Sequence, residues 1–294
     1  MPKAAKTIRR LPPWLRKTIP AESGRAVADC LAELRLDTVC RGARCPNRFE
    51  CRARGRAAFL ILGSRCTRSC RFCAMEADDP EPPDPEEPFR LAEAVKRLGL
   101  SHAVVTSVTR DDLPDGGAGH FAGTVAAIRS LCPETTVEIL VPDFQGGEED
   151  WITAIDCRPD VFNHNLETVE RLYPKVRPGA DFDLSLALLD FAKERRPDIL
   201  CKSGLMLGLG EEWDEVLETA QALRDVGVDI LTVGQYLRPK SERTLEVERF
   251  VPPEEFVRLE GEFRKLGFAA VACSPFVRSS HNAEEAFLLA AKGR

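Results

Sequence analysis

The segment FLILGSRCTRSCRFC, residues 59–73, joins an apolar run to three closely spaced cysteines. Its first four residues form a short apolar run that ends at a glycine, which is typical of a buried strand. Three cysteines with the spacing C-x3-C-x2-C follow the strand directly: Cys66, Cys70 and Cys73. Three thiolates on one tight loop can hold three irons of a cubane cluster and leave the fourth iron open. A structural zinc site is the alternative, but zinc prefers four ligands in separated pairs.

A second cysteine triplet precedes this segment. CRGARCPNRFEC, residues 40–51, places Cys40, Cys45 and Cys51 at the spacing C-x4-C-x5-C. Six of the eleven cysteines therefore crowd into residues 40–73, and the other five are scattered singly. No apolar signal segment accompanies them, so metal or redox chemistry in a reducing compartment is favoured over a disulfide framework. We expect a cytoplasmic protein with two cysteine sites, each one protein thiolate short of four.

From residue 59 onward, short apolar strands alternate with helices. Strands are predicted at 59–62, 102–106, 136–141, 161–165, 200–207, 229–234 and 269–273, and helices at 89–98, 121–131, 168–173, 183–195, 212–226 and 253–266. This alternation indicates parallel βαβ units. No glycine fingerprint of a dinucleotide-binding sheet follows the first strand. We therefore expect an α/β fold with a partial (β/α)6 TIM-type barrel, whose site lies at the C-terminal ends of the strands.

Composition and charge exclude several classes of protein. The chain has 294 residues, of which 44% are hydrophobic and 30% charged, so it can bury a sizeable core. No apolar run approaches the ~20 residues of a membrane span. The net charge of −6 is concentrated in an acidic, proline-rich stretch at 76–87, whereas residues 41–71 carry nine arginines and one acid. No basic stripe interleaved with aromatic residues indicates nucleic-acid binding.

The spacing C-x3-C-x2-C, with Phe72 before the last cysteine, resembles the signature of the radical S-adenosylmethionine superfamily. Together with the first triplet and FVRSSHNAEEAF near the C-terminal end, the chain resembles the lipoyl synthase family over nearly its whole length. The resemblance implies one 4Fe–4S cluster on Cys66, Cys70 and Cys73, and an auxiliary 4Fe–4S cluster on Cys40, Cys45, Cys51 and Ser280. His281 departs from that family, in which tyrosine is usual. CPNRFEC and RFCAM depart from it only beside the ligands.

The resemblance also implies a function and a division of the chain. Two sulfur atoms would be inserted at C6 and C8 of an octanoyl group on a lysine of a lipoyl-carrier domain, with two S-adenosylmethionine molecules used per turnover. Implied partners are octanoylated carrier domains of 2-oxoacid dehydrogenase acyltransferases and of the glycine-cleavage carrier protein, a flavodoxin or ferredoxin reductant, and cluster-assembly proteins. Residues 1–58 would be an N-terminal extension with the auxiliary cysteines, 59–273 the barrel, and 274–294 a C-terminal segment with the auxiliary serine.

Several polar residues have two interpretations. Asn165 and Glu167 fall at the end of a predicted strand, where they are candidates to hydrogen-bond a ribose or carboxylate of the cofactor; the alternative is that Asn165 or Thr168 caps the next helix. Arg177 either anchors a carboxylate or is a surface arginine in a turn, and Arg278 is a candidate for substrate or cluster support. Ser280 is either a cluster ligand or an ordinary helix N-cap. Three histidines, His102, His120 and His164, are expected to be structural.

Two other functions remain open at this point. A different radical sulfur-inserting enzyme, similar to biotin synthase, would share the second triplet, but the first triplet and the C-terminal Arg-Ser-Ser argue against it. A non-catalytic iron–sulfur carrier would need four cysteines for each cluster and no barrel of about 220 residues.

Overall fold

The structure is a computed structural model, and it describes residues 11–18, 24–239 and 241–293. Within these ranges, no helix has the length and apolarity needed to cross a membrane. Residues 1–20, whose six basic and no acidic side chains predict an extended basic arm, lie largely outside the described residues.

Ten strands are described. They are β1 (Asp37–Thr38), β2 (Ala58–Ile61), β3 (Arg65–Cys66), β4 (Glu76–Ala77), β5 (His102–Ser107), β6 (Thr136–Leu140), β7 (Val161–Asn163), β8 (Leu200–Leu207), β9 (Ile230–Gln235) and β10 (Ala270–Cys273). Eight of them form one sheet in the order β1-β2-β5-β6-β7-β8-β9-β10, in which only β1 runs antiparallel to its neighbour. β3 and β4 form a separate pair.

Eleven α-helices are described in the same ranges. They are α1 (Arg25–Glu33), α2 (Val39–Gly42), α3 (Arg48–Ala53), α4 (Glu87–Leu98), α5 (Ala118–Leu131), α6 (Glu148–Asp156), α7 (Tyr173–Val176), α8 (Phe182–Arg195), α9 (Trp213–Asp225), α10 (Pro253–Lys265) and α11 (Ala283–Ala291). Six β/α units from β2 to α10, followed by β10, make the expected α/β partial barrel. The seven predicted barrel strands are all present, because each is a short buried run between turn residues.

One helix prediction needs correction, and one helix was not predicted. The helix predicted at 168–173 is a short 3-10 turn, Glu170–Leu172, followed by α7, and Pro174 lies in the first turn of α7 instead of ending a helix. Proline is tolerated there because the first-turn N–H has no helical partner. Helix α6 was not predicted. Only Trp151, Ala154 and Ile155 of its nine residues are buried, and its first turn is entirely acidic.

Helix α11 closes the end of the barrel opposite the site. Ala286, Phe287 and Ala290 pack against the first residues of β7, β8, β9 and β10. The Phe287 ring stacks on His102 at the start of β5, with 5.6 Å between centroids. Since the N-terminal ends of the strands are covered in this way, the opposite, C-terminal ends remain to form a site.

Candidate functional site

The loop that carries Cys66, Cys70 and Cys73 leaves the C-terminal end of β2 and is held from several sides. Thr67 N donates to Thr109 O at 3.1 Å, and Arg71 N donates to Val176 O at 2.8 Å. Leu245 N donates to Arg71 O at 2.8 Å. The loop is therefore fixed to the ends of three different barrel units, and its three thiols face one cavity.

Arg68, in the middle of this loop, is clamped by two carboxylates. Its Nε and Nη2 donate to Asp111 at 2.7 and 2.9 Å, and its Nη1 and Nη2 donate to Asp143 at 2.5 and 2.6 Å. The Asp143 side chain is 1% exposed. Burial would raise the pKa of Asp143, but the hydrogen bonds and charge of Arg68 outweigh it and lower that pKa. Sequence reasoning assigned no such role to Arg68, because its partners lie 43 and 75 residues away.

The first triplet lies on two short helices of the N-terminal extension. Cys40 is on α2, Cys51 is on α3, and Cys45 lies between them. Burial, together with the nearby Cys40 and Cys45, raises the pKa of the Cys51 thiol to about 11. The three thiols line a second cavity of about 240 Å³, which is also lined by Ser280 and His281. The structure thus brings Ser280 to the cysteines predicted to share its cluster.

The C-terminal segment is held against the N-terminal extension by polar contacts. Asn47 Nδ2 donates to Phe276 O at 2.7 Å, and Arg56 pairs with Glu284 and Glu285 at 2.8 and 2.7 Å. Ser280 is not the N-cap of α11, because Asn282 occupies that position with φ 54°. The helix-cap interpretation of Ser280 is therefore wrong.

His281, which stands where the family usually has tyrosine, lies beside Ser280 at the second cavity, the one lined by all three N-terminal cysteines. Its ring lines the second cavity only, and its Nε2 lies 3.8 Å from Glu50 Oε1. Ser280, in contrast, lines both cavities.

The main cavity has a volume of about 750 Å³ and opens at the C-terminal ends of the barrel strands. Five cysteines from the two triplets line it, together with the candidate polar residues: Cys40, Cys45, Cys66, Cys70, Cys73, Asn165, Glu167, Arg177, Arg278 and Ser280. The cysteine segment at 40–73 and the C-terminal segment at 278–280, about 200 residues apart in sequence, therefore line the same cavity. The remaining cysteine of the six, Cys51, faces the second cavity alone.

Arg177 is a buried residue, so its interpretation as a surface arginine in a turn is wrong. The side chain is 8% exposed and Nη1 donates to the carbonyl oxygens of Asn165 and Leu166 at 2.9 and 3.2 Å. Its Nε is buried without a partner among the described residues. Burial raises the pKa of the Glu167 carboxyl, while the charge of Arg177 opposes that rise. A cation with an unused donor and an anion thus face the same cavity.

Asn165 does not cap a helix. Its Nδ2 donates to Glu167 Oε1 at 3.0 Å, and its Oδ1 accepts from Ser279 Oγ at 3.1 Å. Glu167 itself has φ 69° and bridges to β8 through Glu167 N and Gly204 O, 2.9 Å apart. Both side chains are thereby held in the cavity wall.

Arg278 crosses the barrel mouth between the two cysteine sites and lines both cavities. A glycine in β9 permits this crossing: a Cβ at Gly234 would overlap the Val277 carbonyl oxygen and lie 3.0 Å from Arg278 Nη1.

The three histidines contact protein groups as expected for structural residues. His102 Nδ1 lies 2.8 Å from Thr136 Oγ1, His120 Nε2 lies 2.8 Å from Glu87 Oε2, and His164 Nδ1 lies 2.8 Å from Val141 O. Burial lowers the pKa of His164 to about 4.

The donor sets fit iron–sulfur clusters better than single metal ions. Among the described residues, no three His, Cys, Asp or Glu side chains converge as ligands of one ion. A cubane spreads its ligands over separate irons, so three thiols around a cavity suit it. All eleven cysteines are free thiols. The unused Arg177 Nε and the Glu167 carboxylate in the main cavity suit a zwitterionic cofactor that bears a carboxylate and an amino group.

The model of the radical SAM superfamily matches residues 60–223, which include the C-x3-C-x2-C loop and most of the barrel. Solved structures agree on the fold. The match to the crystal structure of methylornithine synthase (PylB) covers 85% of this chain and 82% of the PylB chain, with a TM-score of 0.56 and 13% identity. Streptococcus suis SuiB bound to S-adenosylmethionine covers 72% of this chain and 49% of its own, with a TM-score of 0.58 and 12% identity. The chain is thus a radical SAM protein, of a class defined by S-adenosylmethionine and a 4Fe–4S cluster.

Its place within that class follows from curated relatives. The lipoyl synthase of Caldanaerobacter subterraneus subsp. tengcongensis is 54% identical over 96% of this chain and 98% of the relative. The lipoyl synthases of Rubrobacter xylanophilus and Trichlorobacter lovleyi are 51% and 53% identical, over 93% and 94% of this chain and 85% and 98% of their own. The chain belongs to the lipoyl synthase family.

Proposed function

We propose that this chain inserts two sulfur atoms at C6 and C8 of an octanoyl group attached to a lysine of a lipoyl-carrier domain. The observation that carries the proposal is that the two cysteine triplets meet at two cavities that share Cys40, Cys45 and Ser280: five of the six cysteines line the main cavity, and Cys51 lines the second. A single-cluster enzyme has no use for the second triplet. The names of the curated relatives support the same reaction.

In this proposal Cys66, Cys70 and Cys73 hold the cluster that binds S-adenosylmethionine, and the auxiliary 4Fe–4S cluster is held by Cys40, Cys45, Cys51 and Ser280. When bound, S-adenosylmethionine and its cluster supply a hydrogen-abstracting radical, and the auxiliary cluster supplies sulfur. Two S-adenosylmethionine molecules are used per turnover, one for each C–H bond. Oxygen is a harder ligand than thiolate and a poorer partner for cluster iron, so Ser280 suits a cluster that must give up its atoms.

The charged groups in the main cavity bind and orient in this proposal. Arg177, with its unused Nε, takes the carboxylate of S-adenosylmethionine, and Glu167 with Asn165 takes the amino group or the ribose. Arg278, between the two cysteine sites, supports the substrate or the auxiliary cluster. Such fixed charges can orient the reacting groups before reaction.

The apolar part of the cavity wall suits an octanoyl chain. Five apolar side chains from four strands and their loops line it: Leu60, Val108, Leu140, Leu205 and Met206. Radical abstraction from an unactivated C–H bond requires position and exclusion of water more than acid–base groups. An apolar lining of this kind positions a saturated chain and excludes water from it.

The remaining parts of the proposal concern partners, location and domains. We propose as substrates the octanoylated carrier domains of 2-oxoacid dehydrogenases and of the glycine-cleavage system, with a flavodoxin or ferredoxin as reductant and cluster-assembly proteins for repair. We propose a cytoplasmic location, since none of the eleven cysteines is paired in a disulfide and a reducing compartment keeps cysteines in that state. We further propose that residues 1–58 and 274–294 build the auxiliary site, while 59–273 form the catalytic barrel.

The test compares Cys66→Ala with Cys45→Ala in anaerobically reconstituted protein, assayed with an octanoylated carrier peptide. Cys66→Ala should abolish 5′-deoxyadenosine formation, whereas Cys45→Ala should retain it and transfer no sulfur, as measured by mass spectrometry of the peptide. Iron and sulfide counts should give two cubanes in the unmodified chain. One cubane, or a normal dithiolane yield from Cys45→Ala, would replace this proposal with a sulfur inserter similar to biotin synthase. If the unmodified chain forms no 5′-deoxyadenosine, a non-catalytic iron–sulfur carrier would replace the proposal.

A further inference from the structure

A fully buried ion pair lies inside the barrel, away from both cysteine triplets. Lys202 Nζ on β8 donates to both carboxylate oxygens of Glu138 on β6 at 2.8 Å, and both side chains are 0% exposed. Neither residue lines the main cavity or the second one. A buried charge pair is costly to desolvate, so its retention calls for a role other than stability alone.

A chain of hydrogen bonds leads from this ion pair to the cavity. Asn163 Nδ2 donates to Glu138 Oε1 at 2.9 Å and to Ser279 Oγ at 2.7 Å. Ser279 Oγ donates to Asn165 Oδ1 at 3.1 Å, and Asn165 Nδ2 donates to Glu167 Oε1 at 3.0 Å. The chain therefore joins the barrel interior to the candidate cofactor residues through one serine of the C-terminal segment.

The ion pair dictates the direction of every bond in this chain. Burial would raise the pKa of Glu138, but the charge of Lys202, together with the His102 ring whose Nε2 lies 3.6 Å from Glu138 Oε2, outweighs it and lowers that pKa to about 2, so the carboxylate only accepts. Asn163 must then present its NH2 group to Glu138, and its second N–H goes to Ser279. Since the Ser279 oxygen accepts there, its own proton is free for Asn165 Oδ1, which turns the Asn165 amide N–H toward Glu167.

The same serine is adjacent to the proposed auxiliary ligand. Ser279 lines only the main cavity, whereas Ser280 also lines the cavity with the N-terminal cysteines. Packing is tight around this point: a Cβ at Gly204 would lie 2.8 Å from Asn165 Oδ1. Little space remains for Asn165 to reorient if its partner is lost.

We propose that Ser279 is a positioning residue for both sites: its hydroxyl, oriented by the Lys202–Glu138 pair through Asn163, holds Asn165 toward Glu167 and fixes the backbone that presents Ser280 to the N-terminal cysteines. This inference rests on the proposed function, because it takes Ser280 as the auxiliary ligand and Glu167 as a contact of S-adenosylmethionine. Ser279 itself touches neither the cofactor nor the cluster in this assignment.

The test measures two properties of Ser279→Ala other than turnover. The first is the Kd for S-adenosylmethionine, from equilibrium dialysis with the anaerobic holoenzyme, which should rise about three- to tenfold on loss of one buried hydrogen bond. The second is the Mössbauer signature of the auxiliary cluster, recorded in the full chain with Cys66, Cys70 and Cys73 changed to Ala, which should lose its distinct oxygen-ligated iron.

Three further variants make the test specific. Ser279→Thr keeps the hydroxyl and should restore both properties. Thr219→Val removes a buried hydroxyl that bonds within α9, away from both cavities, and should change neither property. Ser280→Ala should change the Mössbauer signature and leave the Kd for S-adenosylmethionine unchanged.

Each result supports or overturns the inference. Ser279→Ala that leaves both properties unchanged, or changes only one, overturns it, as does a loss that threonine fails to restore. If Ser279→Ala does not fold, the double change Lys202→Met with Glu138→Leu removes the ion pair together with the acceptor of Asn163 and should raise the Kd in the same way; an unchanged Kd there overturns it as well. An unchanged Mössbauer signature in Ser280→Ala overturns the ligand assignment of the proposed function instead.

Discussion

Replacing Arg68 with methionine should loosen the cysteine loop and destabilise the protein. Arg68 makes four hydrogen bonds to Asp111 and Asp143, and its loss leaves the buried Asp143 carboxylate without a countercharge. Removing one partner of a buried pair costs about 3–5 kcal/mol. With an unfolding entropy of about 2.1 cal/mol/K per residue, a chain of 294 residues should lose roughly 5–8 °C in Tm.

The dependence on pH identifies Asp143 as the cause. In the unmodified protein the pKa of Asp143 is lowered, so its stabilising contribution is present above the ordinary aspartate pKa of about 3.9 and is lost as pH falls through the lower folded value. In Arg68→Met the hydrogen bonds and charge of the guanidinium are gone, so burial, the largest effect on this carboxyl, raises the pKa of Asp143 against the remaining hydrogen bond from Gln145 N. The variant therefore regains stability as Asp143 is protonated. The difference in Tm between the unmodified protein and Arg68→Met should narrow as pH falls from 7 to about 4.

The assay is thermal unfolding of reconstituted protein across this pH range, together with iron counts. Arg65→Met is the matched control in the same loop, because Arg65 is 45% exposed and lies 3.8 Å from Asp78. Loss of such a surface pair should change stability by less than about 1 kcal/mol. An Arg68→Met protein with the Tm and iron content of the control, or a deficit independent of pH, would refute the assigned role of the clamp.

Three further outcomes are expected. Gly234→Ala should displace the segment that carries Arg278 and lower the iron content of the auxiliary site, whereas Gly261→Ala, whose Cβ would meet nothing within 4 Å, should leave iron counts unchanged. Ser280→Ala with His281→Ala should lower sulfur inserted per auxiliary cluster far more than it lowers cluster content, and full product by mass spectrometry would contradict the serine assignment. Lys202→Met should cost about 3–5 kcal/mol in urea unfolding, since it leaves the buried Glu138 carboxylate without its lysine partner, and a loss under 1 kcal/mol would argue against that pairing.

The sequence predicted the barrel and most of the cluster ligands because their signals are local. Each barrel strand is a short apolar run, and each cysteine triplet fits on one loop or helix pair, so spacing along the chain carries the information. Helix α6 was missed because its buried residues, Trp151, Ala154 and Ile155, give only about one turn of the helical period, and its packing against α5 and α8 is a tertiary feature.

The contacts between polar groups that are distant in sequence are visible only in the folded structure. Nothing in the sequence pairs Arg68 with Asp143, or Lys202 with Glu138, and the pattern around Arg177 is equally that of an exposed turn. Ser280 was assigned by family resemblance, and only the crossing of the barrel mouth over Gly234 brings it to the N-terminal cysteines. Ligands that belong to one local motif can be identified from their spacing along the sequence. Charges that neutralise one another across a core depend on a geometry that exists only after the sheet has closed around them.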